Sequence, residues 1–235
     1  DAYNESIRYD SNGNIHRLTR TGDYDGNTYT YLIDELEYHY QQDSNLLLKV
    51  SDATNESSGF KDDSNGNNDI EDDYEYDANG NLTLDQNKAI VRINYNHLNL
   101  PTQIDFSNSS SIYYLYNAAG VKVKKIVQYG AQPQAEIIET DYLGGFQYRN
   151  QQLLFFPHPE GYVKHTLDKN ENSSYDYVYN YTDHLGNIRL SYVLDPATHV
   201  LKVLEENHYY PFGLKHTNYN SGKKGIVFEE LTEGK

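Results

Sequence analysis

Two groups of polar residues have the types and spacing from which chemistry is first expected. The first is an acidic run over residues 61–73, where oxygen-bearing side chains stand at every second position: Asp63, Asn65, Asn67, Asp69, Glu71 and Asp73. Calcium takes six to eight oxygen ligands from a flexible loop, so this set is a candidate calcium site. The calcium-loop pattern requires glycine at its sixth place, which is Asn68 here, so the residues favour a solvated acidic loop over a calcium site.

The second group lies in the C-terminal quarter of the chain. Asp183-His184 with Arg189 has the residue types of an acid/base pair, and His208 follows further on. Isolated histidines and arginines more often satisfy a turn or a cross-strand pair, so the structural interpretation is favoured. We therefore expect a protein that is not an enzyme and has no catalytic residues.

Other kinds of site are excluded or disfavoured by composition. The chain has no cysteine, which excludes disulfides, thiolate chemistry and cysteine-ligated zinc. His158 and His165 lack a suitably spaced third ligand, so no zinc site is expected. Apart from the calcium alternative, no cofactor is expected.

These groups are embedded in a repeated pattern of a tyrosine, a short polar turn and alternating strand residues. It reads Tyr-Asp-Ser-Asn-Gly-Asn-Ile from Tyr9 and Tyr-Asp-Ala-Asn-Gly-Asn-Leu from Tyr76, with related units at Tyr95, Tyr116 and Tyr181. The steps between the units at Tyr76, Tyr95 and Tyr116 are about twenty residues, which is typical of a stacked array of repeats. Asn-Gly between alternating segments indicates a tight hairpin, so each unit is predicted to hold two short antiparallel strands.

The turn residues of the repeat have a structural reason. The Asp or Asn after the tyrosine is expected to hydrogen-bond the backbone of its own turn. Glycine permits the positive φ that such a turn needs. Asn12-Gly13, Asn79-Gly80 and Leu185-Gly186 are therefore interpreted as turns and not as ligand sites.

Composition supports a nearly all-β protein. Tyrosine occurs 25 times against 7 phenylalanines and no tryptophan, and no segment shows a convincing helical period. No apolar run is long enough for a membrane span. The net charge of −16, from 35 acidic and 19 basic residues, repels phosphate backbones, so nucleic acid is not an expected partner.

The Tyr-Asp-x-x-Gly-Asn-Leu/Ile units at this spacing resemble the YD repeats of the Rhs family. Asp183-His184-Leu185-Gly186-Asn187-Ile188-Arg189-Leu190, followed by Asn207-His208-Tyr209-Tyr210-Pro211-Phe212-Gly213, resembles the C-terminal part of an Rhs core. The versions in Bacteroidetes-type proteins are the most similar. The resemblance covers most of residues 1–214 and is diffuse over 20–75 and 121–165.

The resemblance implies an all-β fold and a structural role. It implies an antiparallel β-hairpin array of YD repeats that forms a curved sheet, part of a spiralling shell that encloses a C-terminal toxin. The expected partners are the remainder of the same shell and an encapsulated toxin or secretion machinery. The expected location is secreted or on the surface of a bacterial cell.

The resemblance also divides the chain. Residues 1–214 are predicted to be a core segment with an acidic insertion at 61–73, and 215–235 a C-terminal extension that stops before any toxin domain. Because the chain starts at Asp1 and contains no methionine, we interpret it as a fragment or a processed product. A binding module is the alternative function, in which exposed tyrosines of a long sheet contact carbohydrate or protein in adhesion.

Overall fold

The protein is described by a computed structural model that covers residues 3–22, 30–54, 56–62, 73–131, 133–195 and 198–217. In these ranges the structure contains seventeen strands and one short 3-10 helix, Gln86–Lys88. The predicted nearly all-β architecture is therefore confirmed. No helix of the described residues is long and apolar enough to cross a lipid bilayer.

The strands form two sheets in which neighbours in the chain are neighbours in the sheet. The four-stranded sheet contains β1 (Glu5–Tyr9), β2 (Ile15–Gly22), β3 (Tyr31–Tyr40) and β4 (Leu47–Asp52). The thirteen-stranded sheet contains β5 (Tyr74–Tyr76), β6 (Leu82–Asp85), β7 (Ile90–Tyr95), β8 (Pro101–Phe106), β9 (Ser111–Tyr116), β10 (Lys122–Tyr129), β11 (Glu136–Leu143), β12 (Phe146–Arg149), β13 (Gln152–His158), β14 (Gly161–Leu167), β15 (Ser173–Thr182), β16 (Ile188–Leu194) and β17 (Leu201–Glu206).

The pairing confirms the predicted hairpin array. Strands pair antiparallel with the next strand in the chain, for example β1 with β2, β9 with β10 and β15 with β16. The connections within such hairpins are short, because an antiparallel pair needs only a tight turn. This local topology places the repeat motifs at the turns, where their polar side chains meet.

The chain divides into two compact units, one with residues 3–22 and 30–140, the other with 141–217 in the described ranges. In the first unit Leu18, Leu36 and Val50 form a buried apolar cluster with Phe60 and Tyr74 packed against it. In the second unit Val163 and Val178 are almost completely buried.

A buried ionic cluster lies in the first unit. Arg20 Nε donates to Glu5 Oε2 at 2.5 Å, and Arg20 Nη1 donates to Asp34 Oδ2 at 3.0 Å. Strand register aligns the three residues, since Arg20 is opposite Glu5 on β1 and opposite Asp34 on β3. The amide of Phe60 donates to Asp34 Oδ1 at 2.6 Å, so the buried carboxylate is also tied to the segment after β4.

Candidate functional site

The repeat motif builds one type of turn, seen clearly after Tyr76. The amide of Asp77 donates to the carbonyl of Asn81 at 2.9 Å, and the amide of Gly80 donates to the carbonyl of Asp77 at 3.0 Å. Gly80 has a φ of 79°, which a glycine adopts at little cost. Asp77 Oδ1 accepts from the amides of Asn79 and Asn81, and its Oδ2 accepts from Asn81 Nδ2. The motif aspartate thus closes its own turn.

The same arrangement recurs along the chain. A side-chain oxygen of the first turn residue accepts from the amides two and four positions later in the turns that begin at Asp10, Asn96, Asn117, Asp168 and Asp183. The predicted structural role of the repeat's Asp or Asn is therefore confirmed.

These hydrogen bonds stabilise the ionised carboxylates. The side chain of Asn14 lowers the pKa of Asp10, and those of Asn81 and Asn172 do the same for Asp77 and Asp168. Desolvation opposes ionisation of Asp183, but hydrogen bonds from Asn187, Arg189 and Leu185 outweigh it and lower the pKa of Asp183 to about 2.

The motif tyrosine acts between units. Its hydroxyl donates to the carbonyl of the first residue after the turn that lies two strands earlier in the chain: Tyr40 to Ile15 at 2.9 Å, Tyr76 to Leu47 at 2.8 Å, Tyr95 to Leu82 at 2.7 Å, Tyr116 to Pro101 at 2.9 Å and Tyr209 to Ile188 at 3.0 Å. We call this set of bonds the tyrosine ladder. Burial raises the pKa of each of these phenols, so each stays protonated and donates.

Within the first unit, the tyrosine ladder also joins the four-stranded sheet to the thirteen-stranded sheet. The hydroxyl of Tyr76, on the first strand of the larger sheet, donates to Leu47 on β4 of the smaller one. The amide of Asp73 donates to the carbonyl of Leu48, and the amide of Val50 donates to Asp73 Oδ2 at 2.7 Å. The repeat therefore continues across the break in strand pairing.

Asparagine side chains add a second link between adjacent turns. Asn45 Oδ1 accepts from Asn12 Nδ2 at 3.3 Å and from Asn14 Nδ2 at 2.8 Å. In the next sheet Asn99 Oδ1 accepts from Nδ2 of Asn79 and of Asn81. The asparagine side chains of the motif thus form hydrogen bonds to the adjacent turn as well as within their own turn.

The polar residues of the C-terminal motif also contact residues of their own turn or of nearby strands. Arg189 Nε donates to Asp183 Oδ2 at 2.8 Å, and the guanidinium lies over the ring of Tyr209 with its carbon 5.3 Å from the centroid. His184 is exposed, and His208 Nε2 is 3.4 Å from Glu206 Oε1. Asp183 and Arg189 therefore meet as a turn contact, and His184 does not join them.

The second half of that motif is itself a turn of the repeat type. The amide of Tyr210 donates to Leu214 and the amide of Gly213 donates to Tyr210, while Tyr209 pairs with Lys215. Tyr210 takes the place of the aspartate and is buried.

His158 and His165, the two histidines considered for zinc in the sequence analysis, contact backbone carbonyls of nearby strands. His158 Nε2 lies 3.0 Å from the carbonyl of Val178, and His158 Nδ1 accepts from the amide of Glu160 at 3.2 Å. His165 Nδ1 lies 2.8 Å from the carbonyl of Leu153. In the described ranges, no three His, Asp or Glu side chains are grouped so that they could hold a metal ion.

Most of the candidate calcium set lies outside the described residues. These are Asp63, Asn65, Asn67, Asp69 and Glu71. The sixth, Asp73, is fully buried and its Oδ2 accepts from Val50 and from Asn87 Nδ2. The calcium site stays a prediction.

The second unit contains a groove that the turn contacts do not occupy. It has a volume of about 610 Å³, and tyrosines from β15 and β16 line it together with Leu194, Leu201 and Glu160. Tyr175 and Tyr177 are 52% and 56% exposed, and the rings of Tyr179 and Tyr192 stack with centroids 5.7 Å apart. We call this feature the tyrosine groove.

Known structures share this architecture. In the crystal structure of TcdB2-TccC3 without its hypervariable C-terminal region, the match has a TM-score of 0.55 at 17% identity and covers 91% of this chain and 10% of that one. The crystal structure of TcdB2-TccC3 matches with a TM-score of 0.54 at 16% identity, over 92% of this chain and 10% of that one. A structure of the Photorhabdus luminescens Tc holotoxin pore, with a mutation in TccC3, matches with a TM-score of 0.55 at 17% identity. The match covers 92% of this chain and 10% of that one.

The chain has an Rhs-like all-β fold. It spans about a tenth of the length of the chains that it resembles. No protein-family model and no curated protein matches the sequence.

Sequence reasoning missed parts of this Rhs-like fold. Turns of the same hydrogen-bonding type occur at residues 106–110 and 168–172, where Ser109 and Glu171 hold the positive φ in place of glycine. In the unit near Tyr181, the tyrosine position is filled by Thr182, which pairs with Ile188 as Tyr9 pairs with Ile15. The sequence contained a signal for this assignment. In the other units the tyrosine directly precedes the turn aspartate or asparagine, and the residue directly before Asp183 is Thr182.

Proposed function

We propose that this chain is a non-catalytic structural segment of an Rhs-repeat shell, of the Bacteroidetes-type, that encloses or carries a toxin in a secreted or surface bacterial protein. Its partners in this proposal are the other strands of the same shell and the enclosed polypeptide. The strand order and the likeness to Tc toxin structures support the proposal.

The observation that carries the proposal is the use of the motif residues. In the turns described above, the aspartate closes the turn, and the tyrosine hydroxyl bonds the residue that follows the turn two strands earlier. Arg189 is used in the same way, because it bonds the aspartate of its own turn. The motif residues are thus used to close turns and to hold adjacent hairpins together. This use is expected of a continuous structural wall.

The experiment uses the intact polypeptide to which the segment belongs. If the shell encloses a polypeptide, that part resists added protease while the shell is folded. Weakening the tyrosine ladder with Tyr95→Phe and Tyr116→Phe is expected to increase cleavage of the enclosed part, whereas Tyr181→Phe leaves protection unchanged. Cleavage of this part in the folded wild type, as fast as in all three variants, would argue against enclosure.

The exposed tyrosines of the tyrosine groove support a second candidate function, a surface that binds carbohydrate or protein. Tyrosine offers a large ring face and a hydroxyl, a combination enriched at binding interfaces. Loss of ligand binding on Tyr175→Ala, with the fold unchanged, is the expected result if the groove is used.

The acidic run at 61–73 supports a separate proposal of calcium binding. Millimolar calcium is expected to raise Tm, and a chelator to reverse the rise. Asp69→Asn should reduce this shift, while Glu171→Gln, which removes an exposed carboxylate elsewhere, should not. A Tm that is unaffected by calcium would remove the proposal.

A further inference from the structure

The tyrosine groove has the composition of a site for cations. Tyr175, Tyr177 and Tyr179 stand at every second position of β15, and alternate residues of a strand face the same side of a sheet. Their rings therefore form a row on one face, continued by Tyr192, which lies opposite Tyr179 on β16. Leu194 and Leu201, 48% and 62% exposed, extend the apolar floor.

The charged side chains around this row are mainly acidic. Glu160 and Asp176 line the groove together with one imidazole, that of His199, and no lysine or arginine of the described residues does so. Asp176 also borders a neighbouring cavity with Lys164 and Lys202, so Glu160 is the carboxylate that belongs to the groove alone. The ring faces and Glu160 together present negative potential, because the face of an aromatic ring carries negative charge density.

The molecule itself shows what such ring faces bind. Lys122 Nζ lies 5.1 Å from the ring centroid of Tyr114, and the Arg189 guanidinium carbon lies 5.3 Å from that of Tyr209. Both distances are within the range of cation–π attraction. The rings of Tyr175 and Tyr177 contact the imidazoles of His165 and His158, with centroids 5.1 Å and 6.0 Å apart. More than half of each tyrosine is still exposed, and no lysine or arginine of the described residues lines the groove.

We propose that the tyrosine groove binds a lysine- or arginine-rich segment of a partner polypeptide, whose side-chain cations lie over Tyr175 and Tyr177 while Glu160 pairs with a neighbouring cation. The inference deepens the second candidate function, since it names the ligand of that groove, and it does not depend on the shell. The net charge of −16 draws a basic segment toward the surface, and the rings supply the local contact.

The test measures binding of a fluorescent peptide of alternating lysine and glycine to the whole chain by anisotropy. Binding is expected to weaken about two- to fivefold for Tyr177→Leu, and further when Tyr175→Leu is added. Tyr177→Phe keeps the ring and should bind nearly as well as the wild type. Glu160→Gln should also weaken binding, and the effect should shrink as salt is raised.

Tyr181→Leu is the matched control, because Tyr181 is on the same strand and is 66% exposed but does not line the groove. It should leave the affinity unchanged, and thermal unfolding of every variant checks that the fold is kept. Acetylating the peptide lysines should abolish binding.

Three results would overturn the inference. One is equal loss with Tyr181→Leu and Tyr177→Leu, which would indicate only general attraction to an acidic surface. Another is binding of the acetylated peptide as tight as that of the charged one. The third is groove-dependent binding of a neutral oligosaccharide without any binding of the basic peptide.

Discussion

At the scale of single residues, the choice between aspartate and asparagine in the turns follows from the fifth turn residue. Where the turn begins with aspartate, as at Asp168, the fifth residue is an asparagine whose Nδ2 donates to the second carboxylate oxygen. Where it begins with asparagine, as at Asn117, the fifth residue is Val121. The single oxygen of the Asn117 amide already accepts from two backbone amides, so both of its lone pairs are used and none is left for an asparagine side chain.

We expect Asp168→Asn to destabilise the fold, because the new amide nitrogen faces Asn172 Nδ2, donor against donor. Tm should fall by about 2–4 °C, as is typical when a chain of this size loses a small amount of stability. The double variant Asp168→Asn/Asn172→Val recreates the pattern of the turn at Asn117 and should recover most of the loss. A double variant that is as unstable as the sum of the two single changes would contradict this explanation.

The turn carboxylates also predict a pH dependence. Since the folded pKa of Asp183 is lowered to about 2 and those of Asp10, Asp77 and Asp168 are lowered as well, their contribution is present above the unfolded pKa of about 4. It is lost as pH falls through the folded values. The urea midpoint should therefore drop between about pH 4 and pH 2.

Asp183→Asn should make this drop shallower, because one of the titrating groups is gone. Glu171→Gln removes an exposed carboxylate from another turn and serves as the control. A midpoint that stays level over this interval for the wild type would show that the turn carboxylates do not stabilise the fold.

At the scale of the elements, the tyrosine ladder adds an interaction that strand pairing does not supply. Tyr95 is predicted to contribute through its hydroxyl, because Tyr95→Phe leaves the carbonyl of Leu82 without that donor. The expected loss of unfolding free energy is about 1 kcal/mol, typical of one hydrogen bond. Tyr181→Phe, which removes an exposed hydroxyl, should change stability little. The free energies of unfolding of the two variants, Tyr95→Phe and Tyr181→Phe, are compared by urea denaturation.

The buried ionic cluster gives a larger expected effect in the four-stranded sheet. Arg20→Gln leaves the buried carboxylates of Glu5 and Asp34 without their cation. Breaking a buried pair in this way costs about 3–5 kcal/mol. Arg8→Gln, on an exposed position of β1, should cost less than about 0.5 kcal/mol in the same denaturation experiment. Similar losses for both would show that the cluster adds nothing beyond surface charge.

Local chemistry explains which elements the sequence predicts. The turns at Asp10 and Asp77 could be predicted because every residue that shapes them is within five positions. The partner of Tyr95 could not, because Leu82 belongs to another unit and is reached only after the strands have paired. The turn at 106–110 was missed because Phe106 and Ser109 replace the aspartate and the glycine.

The tyrosine groove was predicted only in part. An excess of tyrosine indicated exposed rings on a wide sheet, but the alternation on β15 and the pairing with β16 decide which rings share a face. The sequence likewise grouped Tyr181 with Asp183, whereas register assigns that position to Thr182. Side-chain direction in a strand changes with every residue, so an error of one position moves a ring to the other face.

At the scale of the whole molecule, the proposal is that these hairpins form part of a wall and carry no chemistry of their own. A strand at the edge of a sheet leaves a row of backbone groups unpaired. In a continuous shell, each such edge would be covered by the next strand of the same polypeptide. The calcium and groove proposals concern additions to this wall and can fail without affecting it.

The most direct test of this central claim is a cryo-electron microscopy map of the intact polypeptide that contains this segment. We predict that β1 pairs with a preceding strand, that the array continues beyond β17 in chain order, and that the wall surrounds an enclosed volume holding another part of the polypeptide. A map in which this segment stands as a separate domain, with the edge of β1 in solvent and no enclosed volume, would contradict the account.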